Sequence, residues 1–311
     1  MDTRISSVAL TLSLICAPIS LSARESPPLY IGVMEDALSE DHNLSPGMSS
    51  AHVRIAFQKR GEAWVPMKTD FNTPEALSYA DREYPRAVKW RVLFSGKQVG
   101  AITSKSVGPI QSYGDVGTQT ITTNEADIPK IAIGASDFGY TGFTPRTRPL
   151  LLVSGQNFGD TEAWKRTTLS NDEREAAIKE FRKKIPSLEQ CDTPEQETPA
   201  RMVAYEDDEI LFIKAYRSRN GALLFGLKLN DARSKCEYFD DEHFFDYWFS
   251  QTANQQIRLL GSQMIPIDAA DLDGSGHSVW IFHTSRGEDE DGYELFYNDF
   301  TKKASFHWTY H

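Results

Sequence analysis

Apolar and polar positions alternate with a period of two along much of the chain, and that alternation places the strands. In His52-Val53-Arg54-Ile55-Ala56-Phe57 the residues Val53, Ile55 and Phe57 share one face. After the turn at Lys59-Arg60-Gly61, the run Ala63-Trp64-Val65-Pro66-Met67 returns as the second half of a hairpin. The same pattern predicts a hairpin of 89–94 with 99–103 across Ser95-Gly96-Lys97, and another in which 149–154 returns through Trp164. Segments 209–216 and 222–229 meet across Asn220-Gly221, a pair that readily adopts the positive φ of a tight hairpin turn. Segments 279–283, 293–297 and 304–310 complete the set, and 29–34 is an early strand. One stretch has helical periodicity instead. Ser170 and Glu173 form a capping box, Ile178, Phe181 and Ile185 share a face, Arg182-Lys183-Lys184 complement the C-terminal dipole, and Pro186 stops the helix.

Strand–turn–strand units repeated at irregular spacing predict a mainly β fold. The expected form is a propeller-like arrangement of antiparallel hairpins with one inserted amphipathic helix, and a β-sandwich pair is the alternative. Residues 24–311 read as a single domain, with a helical and polar insertion at about 170–200. The Pro- and Glu-bearing run 192–199 is where a boundary falls if there are two domains.

Composition narrows the function classes. A chain of 311 residues with 40% hydrophobic and 25% charged residues can build a full core. Its net charge of -11 disfavours nucleic acid and anionic lipid and favours cations and basic partners. Residues 1–23 carry Arg4, an apolar run at 8–17 and small residues up to Ala23, the pattern of a signal peptide, so an exported protein in the periplasm or outside the cell is expected. No apolar run approaches the roughly 20 residues needed to span a bilayer, so no stable membrane insertion is expected. Beyond the leader, Cys191 and Cys236 are the natural pair for one disulfide, contributing roughly 3–4 kcal/mol in the chain-entropy model.

The most specific chemical signal is the run 271–282. Asp271 at position one, Asp273 at three, Ser275 at five and the backbone carbonyl of His277 at seven are oxygen donors spaced for calcium, with Gly274 and Gly276 permitting the coil. This loop resembles the Asp-x-Asp-Gly-Asp-Gly loops of FG-GAP or VCBS-type repeats in exported bacterial proteins. The resemblance implies a propeller-like fold, with the 29–34 strand closing the ring against the last blade. In that family carboxylates also stand at positions five and nine, where this chain has Ser275 and Val279. The loop therefore brings a charge of -2, and calcium binding is expected to be weak or lost, with the loop serving fold stability. Asp268 or the acids at 288–291 are candidates to supply a missing carboxylate from outside.

Other constellations are less specific. Acid clusters at 207–209 and 240–242 offer the paired carboxylates of a glycosidase. The aromatic run 239–249 reads as a sugar platform or as core packing. His283, His307 and His311 have no ligand spacing on a helix, and no nucleotide-binding glycine motif is present. These observations point to an exported binding or interaction module for a protein or carbohydrate ligand. The alternative is a glycan-directed hydrolase, for which no catalytic residue stands out.

Overall fold

The computed structural model describes residues 27–35, 47–68, 82–105, 117–134, 147–190, 201–230, 245–285 and 290–309. The leader 1–23, Cys191, Cys236, the run 192–199, the acids at 240–242 and His311 lie outside the described residues.

Strand β1 (Tyr30–Glu35) is buried at its first five positions, so both of its edges are paired and both of its faces covered. It pairs antiparallel with β2 (Met48–Arg60) on one side and β7 (Leu150–Val153) on the other. β7 also pairs with β4 (Val88–Phe94), which carries β5 (Lys97–Ser104). The 13 residues of β2 serve two further strands, β6 (Thr118–Asn124) along its first half and β3 (Ala63–Pro66) along its second. The result is one seven-stranded sheet. The hairpins predicted at 52–67 and 89–103 are its β2–β3 and β4–β5 pairs. Two expectations are corrected. β1 lies at the centre of this sheet and does not close a ring against the last strands, because its buried edges need β2 and β7. The segment 149–154 does not return through Trp164: the wholly apolar β7 is an interior strand, and β8 (Lys165–Arg166) crosses to a different sheet.

The second sheet runs β14 (Ile257–Ser262), β13 (Tyr247–Gln251), β12 (Leu223–Leu229), β11 (Ile210–Arg217) and β8. The third is a four-stranded meander of β15 (Met264–Ala270), β16 (Val279–Ser285), β17 (Glu290–Tyr297) and β18 (Lys302–Thr309). A small pair, β9 (Leu188–Gln190) with β10 (Arg201–Val203), completes the strands. None of these antiparallel sheets closes on itself, and they pack face to face in the manner of a sandwich.

The period of two decides which face meets which layer. On β16, Ile281 packs with Ile31, Val53 and Leu152 of the first sheet, whereas Trp280 and Phe282 pack with Leu224 and Trp248 of the second. The third sheet is thus the middle layer, apolar on both sides, each large side chain contributing about 1.5–3 kcal/mol on burial. The outer face of the second sheet is covered by α1 (Asn171–Lys184), whose Ala177 and Phe181 pack with Phe225, Tyr247 and Phe249. Both capping-box bonds form: Glu173 N–H donates to Ser170 Oγ at 3.4 Å, and Ser170 N–H to Glu173 Oε2 at 2.8 Å. Arg217 on β11 then clamps Glu173 with two bonds of 2.9 Å. No helix among the described residues is long and apolar enough to cross a membrane.

Candidate functional site

The run at 271–278 links β15 to β16, and Gly274 (φ 73°) and Gly276 (φ 86°) take the left-handed conformations that tighten it. Its acids are turned onto its own backbone. Asp271 Oδ1 accepts from Ser275 N–H at 3.0 Å, and Oδ2 accepts from Gly276 N–H at 2.8 Å and Thr161 Oγ1 at 3.3 Å. Asp273 Oδ1 accepts from Ser275 N–H at 3.2 Å, and Ser275 Oγ from His277 N–H at 3.4 Å. Two backbone bonds of 2.8 Å between Asp271 and Gly159 tie the loop down. The remaining carboxylate oxygen, Asp273 Oδ2, meets the ammonium of Lys59 from β2 at 2.5 Å. That ammonium also lies 5.0 Å from the Trp64 ring centroid and 6.0 Å from that of Tyr297. Burial alone pulls the Asp273 carboxyl up, but the Lys59 and Ser275 bonds outweigh it and hold the group below its ordinary value.

This donor set does not fit calcium. The oxygens of Asp271 and Asp273 are already taken by backbone N–H groups, the Thr161 hydroxyl and the Lys59 ammonium, and Lys59 has offset one of the two charges a calcium ion would need. Among the described residues the outside acids do not complete it, and Glu288 and Asp289 lie outside the described residues. Asp291 is registered with Ser285, at the opposite end of β16 from the loop, and Glu290 pairs with His307 at 3.2 Å. Asp268 lies beside a bulge in β15, where Oδ1 accepts from Ala269 N–H at 2.8 Å and the carboxyl is buried near the backbone N–H groups of Ser95 and Gly96. Burial, only partly offset by Ala269 N–H and Arg148, pushes its carboxyl up to about 6. The carboxylates that do approach the loop's exit are Glu162 and Asp299, grouped with the His277 side chain. Sequence spacing had singled out neither.

A second feature lies on the first sheet. A cavity of about 630 Å³ is lined by β4, β5, β6 and the segment after β7, including Lys89, Arg91, Thr103, Thr122, Asp127 and Gln156. Its floor is braced by a buried chain of hydrogen bonds. Trp90 Nε1 donates to Ser104 Oγ at 2.8 Å, Ser104 Oγ donates to Gln119 Oε1, and Gln119 Nε2 donates to the Pro85 carbonyl at 2.5 Å. Asp127 is engaged locally, by Thr123 Oγ1 at 3.4 Å and Asn124 Nδ2 at 3.3 Å. The cations Lys89 and Arg91 thus stand on the cavity with no acid bonded to either among the described residues.

The remaining sequence candidates are dispersed. Asp207 forms an exposed pair with Arg182 at 2.6 Å, and Glu209 beside it is turned onto its own turn, where Oε2 accepts from Glu206 N–H at 2.7 Å. Tyr247, Trp248 and Phe249 are buried within the second sheet and present no open aromatic face. His283 is registered with Tyr293, whereas His307 is registered with the neighbouring Gly292, so the two imidazoles leave opposite faces of the third sheet. Between the first and third sheets Glu35 accepts from Arg54 at 2.6 and 3.1 Å and from the Tyr293 hydroxyl at 2.5 Å. Burial raises the Glu35 carboxyl, and Arg54 more than reverses that, leaving it below its ordinary value. Comparison of the chain with protein-family models, with curated proteins and with solved structures gives no significant match.

Proposed function

We propose that the protein is an exported binding module that takes a polar, carboxylate-bearing chain, of glycan or acidic-peptide type, in the cavity over β4–β6. The observation that carries this is the lining of that cavity: Lys89 and Arg91, with Thr103, Thr122 and Gln156 beside them, in a chain of net charge -11. A volume of about 630 Å³ lies within the ~300–1,000 Å³ range of small-ligand sites. Two cations with hydroxyls and an amide beside them recognise carboxylates and hydroxyls through charge-assisted bonds. The apolar leader supports the exported part of the reading. The general acid of a glycosidase calls for a raised carboxyl, and the one carboxyl raised by its surroundings among the described residues, Asp268, does not line the cavity.

In this reading the Asp271 loop is a fold clamp of the FG-GAP kind in which Lys59 stands where a cation would. The four-stranded meander β15–β18, packed face to face with the five-stranded second sheet, is the blade-like element that supports the propeller resemblance. The test is calorimetric titration with neutral oligosaccharides, uronate-bearing oligosaccharides and acidic peptides. A carboxylate-bearing probe is expected to bind, with affinity falling about tenfold or more in Arg91→Ala, which removes about 1.5–3 kcal/mol of charged hydrogen bonding. Equal binding by Arg91→Ala and the parent chain contradicts the proposal.

A further inference from the structure

We propose that Glu162, the imidazole of His277 and Asp299 form a binding site for a zinc-type divalent ion at the exit of the Asp271 loop. One ligand atom from each residue lies within 4.8 Å of the others. The three come from separate segments: the connection between β7 and β8, the end of the Asp271 loop before β16, and the turn from β17 to β18.

Each residue is held by its surroundings. Glu162 is only 7% exposed, and its Oε2 takes both of its donors, Ser278 N–H at 2.8 Å and Trp164 Nε1 at 3.1 Å. Oε1 takes none among the described residues, which leaves one oxygen of a fixed, buried carboxylate for a cation. Asp299 sits in a run of three left-handed residues, Asn298 (φ 52°), Asp299 (φ 54°) and Phe300 (φ 59°). The buried Phe300 ring anchors that run 5.9 Å from Trp164, so one indole braces both carboxylate-bearing segments. His277 Nδ1 already lies 3.3 Å from Asp299 Oδ1, close to the about 3.4 Å that separates donors in a tetrahedral zinc shell. Glu162 stands within 4.8 Å of both, and the half-exposed His277 and Asp299 side chains are the ones that move to close the shell.

The donor chemistry selects the ion. One imidazole nitrogen and two carboxylates give a charge of -2 and a mixed nitrogen–oxygen set, which suits zinc and neighbouring transition ions and is poor for calcium or magnesium. A cavity of about 80 Å³ lies alongside, lined by Ser275, His277 and Asn298 together with Lys59, which is paired to Asp273, and Lys302, and it has room for a water to complete the shell. Three protein ligands and one open position is the arrangement in which zinc activates water or accepts a ligand.

The test is calorimetric titration of the full chain with zinc chloride, with cobalt(II) as an optical probe of the same site. One zinc per chain is expected, with a visible cobalt absorption that zinc displaces and millimolar calcium does not. His277→Ala and Asp299→Asn, both at exposed positions, are expected to weaken zinc by more than about tenfold, while Asp273→Asn on the neighbouring loop retains it. Circular dichroism confirms that the variants fold. Absence of saturable zinc binding, parent-like affinity in both His277→Ala and Asp299→Asn, or displacement by calcium overturns the proposal. Loss in Asp273→Asn equal to that in His277→Ala also overturns it and moves the ion to the Asp271 loop.

Discussion

Asp268 and Glu35 are both acids at seams between sheets, and their surroundings drive them in opposite directions. At Asp268, burial dominates and raises the carboxyl from 3.8 to about 6. Between those values the folded state holds a proton the unfolded state releases, so this residue makes stability fall as pH rises from 3.8 through 6. Asp268→Asn keeps the acceptor for Ala269 N–H and removes the charge. It is expected to stabilise the fold at pH 7 by roughly 2–3 kcal/mol and to change little near pH 4, measured by urea unfolding at both pH values. At Glu35 the Arg54 bonds win over burial, so its carboxyl titrates below 4.5 in the fold. Its contribution is complete above pH 4.5 and is lost as pH falls through the lower folded value. Glu35→Ala strips the carboxylate from Arg54, whose side chain is 6% exposed, and is expected to cost about 3 kcal/mol at pH 7 by the same assay. A cost under about 1 kcal/mol would show the pair to be a surface interaction.

Among the elements, α1 was legible residue by residue, because capping and periodicity are local. Ser170→Ala removes the acceptor for Glu173 N–H and is expected to cost about 1 kcal/mol, read as a lowered melting temperature; no shift contradicts the cap. The β2–β3, β4–β5 and β11–β12 hairpins were equally legible, since glycine-bearing turns join alternating strands. β15 was not, because Pro266 and Asp268 interrupt its pattern at the register shift that the bulge accommodates. β14 was missed because Ile257, Arg258, Leu259 and Leu260 do not alternate in burial. β7 was seen as a strand but given the wrong partner: four buried apolar residues mark an interior strand without naming its neighbours. The site divides in the same way. Asp271, Asp273 and Ser275 are read from spacing, whereas Lys59 lies 214 residues from Asp273 and Glu162 lies 116 from Ser278. Such pairs exist only once the sheets are stacked.

Across the whole molecule, the middle sheet carries apolar side chains on both faces. The first sheet presents two cations on its cavity, and the turns at the end of the middle sheet gather the oxygen-rich loop and the His277 group. In a chain of net charge -11, Lys89 and Arg91 line one cavity, the surface on which the proposed binding rests, and the ammonium of Lys59 is spent inside, on Asp273. The most direct measurement is a map of amide chemical-shift changes as a carboxylate-bearing oligosaccharide or acidic peptide is titrated into the protein. The account predicts shifts gathered on Lys89, Arg91, Thr103, Thr122 and Gln156 and absent from the middle sheet. Shifts centred elsewhere, or none with either probe, would contradict it.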